Sequence, residues 1–136
     1  MFIYDFSHKV WVFTLKKKAD VFNLFKQFKA MVEKRIGKSI KCLRTDNGGE
    51  FTSIEFEQYC KDEGIVRHKT IVYTPQQNGV AEHMNQTLME RVRNMINNAN
   101  LQKELWVEAV STSCYLVNRS PSLAINCKIS QEVWSS

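Results

Sequence analysis

Two carboxylates stand in segments suited to displaying them. Asp46 opens the turn-rich stretch "TDNGGEF", residues 45–51, directly after the short apolar run "IKCL". Glu82 lies in "VAEHMNQTLMERVRNMINN", behind the polar loop "YTPQQNG" with its Pro75 and Gly79, and 35 residues separate the two acids. A carboxylate so placed is open to a ligand while the elements behind it hold it still, and the two acids are informative together. Each acid also has a plainer reading. Asp-Asn-Gly is commonly a turn whose Asp caps nearby amides, and an acid in the first turn of a helix is favoured by the macrodipole.

The flanking pattern says how each acid is positioned. "IKCLR" reads as a short strand, with Ile40 and Cys42 alternating with Lys41, and it delivers Asp46 at its carboxyl end, where α/β folds display reactive groups. The glycines after Asp46 are expected to let the backbone turn sharply without a side chain in the way. Glu50 is assigned to the loop or to the first turn of the next helix. In the segment that carries Glu82, Val80, Met84, Leu88, Val92 and Met95 recur at helical spacing as the buried face, so Glu82, Gln86, Met89 and Arg93 lie on another face. Gln76, Gln77 and Asn78 in the preceding loop, and Asn85 on the helix, are polar groups whose plain reading is capping and solvation of the loop.

The rest of the chain supplies the frame. "FIYDF" and "VWVFTL" read as a hairpin turning at Ser7-His8-Lys9, with Asp5 in a turn or surface role. Val21, Leu24, Phe25, Phe28, Val32 and Ile36 mark an amphipathic helix over 19–36 that Gly37 stops, and Lys16 to Lys18 before it read as a solvated run. A helix "IEFEQYCKDE" capped by Thr52 or Ser53 leads to Gly64 and the strand "IVRHKTIV". "LQKELWVEAVSTSCYLVNRSP" is a further helix with Leu105, Ala109, Thr112 and Leu116 on one side, ended at Ser120-Pro121. The tail from Ser122 is expected to be irregular, with a short helical turn near Glu132 to Trp134.

Composition limits the function classes. With 136 residues, 43% hydrophobic and 24% charged, the chain fits one α/β domain, here taken as 1–121 with an extension over 122–136. A net charge of +5 favours an anionic partner. No apolar run approaches the roughly 20 residues of a membrane helix, and no signal peptide is recognisable, so no membrane partner and an intracellular location are expected. Cys42, Cys60, Cys114 and Cys127 lack paired zinc spacing and are expected to be buried thiols. His68 and His83 have no partner at ligand spacing. Trp11, Trp106 and Trp134 are assigned to packing.

"TDNGGEF" and "YTPQQNGVAEHMNQTL", together with their separation, resemble the catalytic core of retroviral and retrotransposon integrases. "FIYDFSHKVW" and "LWVEAVSTSCYLVNRSP" are similar to the copia-type subgroup of long-terminal-repeat retrotransposons. The resemblance implies a ribonuclease H-like mixed sheet flanked by helices, part of a Pol polyprotein. It implies Asp46 and Glu82 as catalytic ligands of Mg²⁺ or Mn²⁺, two cations about 3.5–4 Å apart that serve an in-line displacement at phosphorus. It implies DNA as substrate, trimmed at its ends and joined to a target, with Gln76, Gln77, Asn78 and Asn85 facing it. A homodimer through core helices and a nuclear site of action after a cytoplasmic particle stage are implied as well.

The resemblance also places a first catalytic Asp on the central first strand, upstream of "FIYDFSHKVW", so these residues are expected to lack that strand and its acid, and to be inactive by themselves. Where copia-type relatives carry Arg, this chain has His8, His83 and Gln86, a pattern expected of a decaying genomic copy. Two functions follow: an integrase catalytic core, or a non-catalytic remnant that binds nucleic acid or a protein.

Overall fold

A computed structural model describes residues 1–46, 48–69, 79–100 and 102–136. The chain divides into two compact units, one spanning Leu15–Asn78 and the other joining Met1–Thr14 to Gly79–Ser136.

In the Leu15–Asn78 unit, a 3₁₀ turn at Lys18–Asp20 leads into helix α1, Val21–Ile36. Phe25, Phe28 and Val32 are buried along the predicted stripe. Gly37 ends the helix at φ 71°, and its N–H donates to the Glu33 carbonyl at 2.8 Å, a left-handed cap that glycine adopts without steric cost. Strand β3, Cys42–Thr45, runs parallel to β4, Val66–Lys69, in the register Cys42 with Val66 and Thr45 with Lys69. Helix α2, Ile54–Asp62, makes the crossover that a parallel pair requires. Its cap is Ser53, whose Oγ accepts from the Phe56 N–H at 3.2 Å.

The core of this unit is aromatic. Phe25 and Phe56 are fully buried with ring centroids 5.3 Å apart, and Phe22, Phe51 and Tyr59 close around them. Removing either buried ring would cost about 3–5 kcal/mol. The alternation expected of β3 is shifted: Thr45 is buried and Leu43 half-buried, while Cys42 faces out beside Val66, which is 58% exposed. Thr70, Ile71 and Val72, which the sequence reading adds to this strand, lie outside the described residues.

In the other unit, β1, Phe2–Ile3, pairs antiparallel with β2, Val10–Trp11. The hairpin is present, but its strands are shorter than the apolar runs suggested. The turn residues Asp5–Ser7 are closed by the His8 N–H on the Tyr4 carbonyl at 2.8 Å and the Tyr4 N–H on the Lys9 carbonyl at 2.9 Å. Asp5 is exposed, as expected of a turn acid, whereas Ser7 and Lys9 are buried.

Helices α3, Gly79–Asn98, and α4, Trp106–Asn118, pack through Val92, Ala109 and Val110, with Val12 and Ile96 against them. Leu88 is buried as expected, but Val80 is 49% exposed because it falls in the first turn of α3, beyond the packed part of its face. The buried stripe of α4 is Ala109, Val110, Ser113 and Asn118 rather than the predicted face, and Leu105 and Leu116 are each 40% exposed. Both stripes have helical spacing, so periodicity alone could not choose between them.

The tail is more regular than its sequence suggests. Strands β5, Pro121–Ser122, and β6, Lys128–Ile129, form a small antiparallel ladder, and helix α5, Ser130–Ser135, follows. Trp134 packs edge-on against Trp11 at 5.0 Å and against Tyr4 at 5.2 Å, while Trp106 is 40% exposed. Cys60 is buried and Cys114 half-buried, but Cys42 and Cys127 are exposed, against expectation, on the outer face of β3 and at the tail turn.

The described strands form three separate two-stranded ladders, one of them parallel. No described helix is long and apolar enough to cross a membrane.

Candidate functional site

The site begins at the end of β3. Thr45 is buried, and its hydroxyl accepts from Arg67 Nη2 at 3.3 Å. The Arg67 guanidinium in turn lies over the Phe56 ring at 4.7 Å. This packing fixes the last residue of the strand and leaves the next one, Asp46, exposed. The Asp46 carboxylate is held locally, with Oδ1 accepting from the Gly48 N–H at 3.0 Å.

Of the two parts of the expectation, the structure at Gly48 shows the absence of a side chain in the way and not a need for special backbone angles. Gly48 has φ −57° and ψ 140°, a conformation open to any residue, and Gly37 and Gly64 are the described glycines with positive φ. What Gly48 supplies is room. A Cβ there would stand 2.9 Å from Cδ and Oε2 of Glu50 and 3.0 Å from Oδ1 of Asp46. Glu50 sits in a 3₁₀ turn, Gly49–Phe51, whose Phe51 ring packs edge-on against Phe56 at 5.8 Å.

Glu82 lies in the first turn of α3 and is exposed, as are His83, Asn85 and Gln86. Asp46 and Glu82 belong to different units. Gln76, Gln77 and Asn78 lie outside the described residues. Among the described residues no three His, Cys, Asp or Glu side chains gather at metal-binding spacing. Asp46 and Glu82 are each exposed and each carry hard oxygen donors of the kind that Mg²⁺ or Mn²⁺ takes.

Sequence reasoning missed the charges that brace this unit. Lys29 is buried on the apolar face of α1, and its Nζ bonds Glu33 at 2.8 Å and Glu63 at 2.9 Å. Glu33 Oε1 also accepts from the Ile40 N–H at 2.7 Å, which ties α1 to the chain entering β3. The hydrogen bonds that Lys29 donates to Glu33 and Glu63 push its pKa well above its usual value. Burial works against ionisation of Glu33, but the bonds from Lys29 and Ile40 outweigh it and hold its pKa below the usual value. The only sequence signal was an i,i+4 pair of opposite charges beginning on the buried stripe.

In the other unit the Lys9 ammonium lies 5.2 Å from the ring centres of both Trp11 and Trp134. A lysine in a hairpin turn gave no hint of that.

With this geometry in view, the comparisons with known proteins decide the family. The model of the integrase core domain matches residues 1–75. The chain belongs to the integrase core domain family. The Pol polyprotein of transposon TNT 1-94 of Nicotiana tabacum is 53% identical over 135 residues, covering 99% of this chain and 10% of that protein. The Pol polyprotein of transposon RE2 of Arabidopsis thaliana is 33% identical over 122 residues, covering 90% of this chain and 8% of that protein. The integrase core described here thus spans a tenth or less of the length of these retrotransposon relatives.

Solved structures agree on the fold. The HTLV-2 integrase catalytic core domain in complex with magnesium, in its dimeric form, has a TM-score of 0.67 at 21% identity and covers 97% of this chain and 80% of its own. The simian T-cell lymphotropic virus intasome, in complex with the PP2A regulatory subunit B56 gamma, has a TM-score of 0.73 at 23% identity, with coverage of 96% and 45%. The fold is that of retroviral integrase cores, and the chain is a retrotransposon integrase core.

Proposed function

We propose that this chain is the catalytic core with which a retrotransposon Pol polyprotein trims DNA ends and joins them to target DNA, with Asp46 and Glu82 as ligands of Mg²⁺ or Mn²⁺. The observation that carries the reading is the placement of Asp46 in a chain of this family. A packed strand end leaves its carboxylate exposed, and one of its oxygens is oriented by the Gly48 N–H. When bound, a pair of such cations supplies activation of the attacking hydroxyl and stabilisation of the leaving oxygen.

The protein's own part is to hold and orient. Asp46 is presented from the end of β3, and Glu82 from the first turn of α3. Asn85, together with Gln76, Gln77 and Asn78, contacts the DNA, while the excess of basic residues draws in the phosphate backbone. The isolated polypeptide pairs through core helices into a homodimer, acts in the nucleus when part of a working element, and is not competent for joining by itself. The last point rests on the first catalytic Asp that the family resemblance requires and that no motif in these residues supplies.

A second reading, a non-catalytic module that binds nucleic acid or a protein, is favoured by His83 and Gln86. Both are exposed, at positions where the copia-type resemblance implies arginine.

Calorimetric titration with Mn²⁺ tests the metal assignment. The parent should bind, and Asp46→Asn and Glu82→Gln should each weaken binding. Equal heats in all three proteins would refute a shared site.

A further inference from the structure

Arg67 is incompletely partnered. Its Nη2 donates to the Thr45 hydroxyl at 3.3 Å and its guanidinium rests over the Phe56 ring, but Nε and Nη1 are buried with no hydrogen-bond acceptor among the described residues. A guanidinium stays ionised inside a protein, so these donors carry positive charge that no protein oxygen meets, an arrangement that costs stability until an acceptor arrives.

The same side chain lines a cleft of about 290 Å³ in the Leu15–Asn78 unit, together with Glu57, Cys60, Lys61, Ile65 and Lys69. The acid in this cleft does not fill the gap. Glu57 Oε1 is taken by Lys69 at 2.6 Å, and no hydrogen bond joins it to Arg67 although both line the one space. Three cations against one acid leave a surplus of positive charge. The Thr45 bond is at the long end of the range for an N–H donor, so turning the guanidinium toward the cleft gives up little.

Size and charge select the ligand. The volume falls below the roughly 300–1,000 Å³ of sites that enclose drug-sized molecules, so it suits one small group. Arginine favours oxyanions, and a phosphate group carries about two charges near neutrality where a carboxylate carries one.

We propose that this cleft binds a single phosphate group, with Arg67 as its principal donor and Lys61 and Lys69 as flanking cations. Glu57 opposes binding, since its carboxylate repels the ligand and occupies Lys69. The site shares no residue with the reading of Asp46 and Glu82 and stands or falls apart from it.

The test follows the Arg67 Nε–H resonance by proton–nitrogen correlation NMR, assigned by its absence from Arg67→Lys, as inorganic phosphate is added at constant ionic strength. The resonance should shift saturably. Lys61→Gln, at an exposed position, should weaken binding about threefold and Glu57→Gln should tighten it by a similar factor, the scale of partly exposed charge pairs. Lys38→Gln, exposed in the same unit but outside the cleft, should leave the affinity unchanged. Thymidylate distinguishes the sources of the group: binding tighter than that of inorganic phosphate assigns a nucleotide-borne phosphate, and weaker binding assigns the free ion. A shift that chloride reproduces, or an affinity that neither Lys61→Gln nor Glu57→Gln alters, overturns the site.

Discussion

Asn118 bonds both backbone groups of Val10: its Oδ1 accepts from the Val10 N–H at 2.9 Å, and its Nδ2 donates to the Val10 carbonyl at 2.8 Å. The last residue of α4 thereby stands in for a neighbouring strand along β2. Both residues are buried, so these backbone groups have no recourse to water. The amide also caps an edge that would otherwise be open to pairing with another chain.

Asn118→Leu keeps the volume and removes both bonds, so the buried Val10 N–H loses this partner while the carbonyl keeps only the weak Cys114 thiol donor at 3.4 Å. A loss of about 2 kcal/mol is expected, since an unsatisfied buried group costs roughly 1–3 kcal/mol. Urea denaturation followed by tryptophan fluorescence measures it, because Trp11, Trp106 and Trp134 all lie in this unit. A change below about 0.5 kcal/mol, the scale of an ordinary surface substitution, would show that the two bonds do not hold the hairpin.

Acid should weaken the other unit through Glu33. Its folded pKa is depressed from the usual 4.5, so the stabilisation is present above that value and lost as pH falls through the folded one. Lys29 is shifted up from the usual 10.5, so its share is present below that value and lost only in strong alkali. Urea melts by circular dichroism should give a plateau between about pH 5 and 10 with a fall on the acid side. Glu33→Gln should cost about 1 kcal/mol at neutral pH and flatten the acid limb. An unchanged acid limb in the variant would assign the fall to other carboxylates.

DNA binding should be weak, nonspecific and steeply dependent on salt, because attraction to phosphate is its broad source in a chain of net charge +5. His83→Arg combined with Gln86→Arg restores two cations on the exposed side of α3. Anisotropy titrations with duplex DNA should show tighter binding and a salt slope steeper by about 0.9 for each additional phosphate that the new arginines neutralise. Unchanged affinity would mean that this side of α3 does not face DNA.

The elements were legible where a local rule decided them. Gly37 stopped α1 because a left-handed cap needs glycine, and Ser53 capped α2 through its hydroxyl. The register of α4 was not legible, since Leu105-Ala109-Thr112-Leu116 and Ala109-Val110-Ser113 have equally good helical spacing and the packing partners Val92 and Ile96 decide between them. The tail ladder was hidden because two-residue strands carry no periodic signal. The strand pattern put Asp46 directly after β3 and the helical pattern put Glu82 in the first turn of α3. The approach of Glu50 to Gly48 depends on a side chain folding back, which residue types in sequence do not encode.

The central claim is tested most directly by an oligonucleotide joining assay with Mn²⁺. It is run on the 136-residue chain and on the same chain extended by a family-like first strand bearing Asp, each with its Glu82→Gln counterpart. The account predicts joining by the extended chain only, abolished by Glu82→Gln. Joining by the unextended chain that Glu82→Gln abolishes, or joining that survives Glu82→Gln, would contradict it.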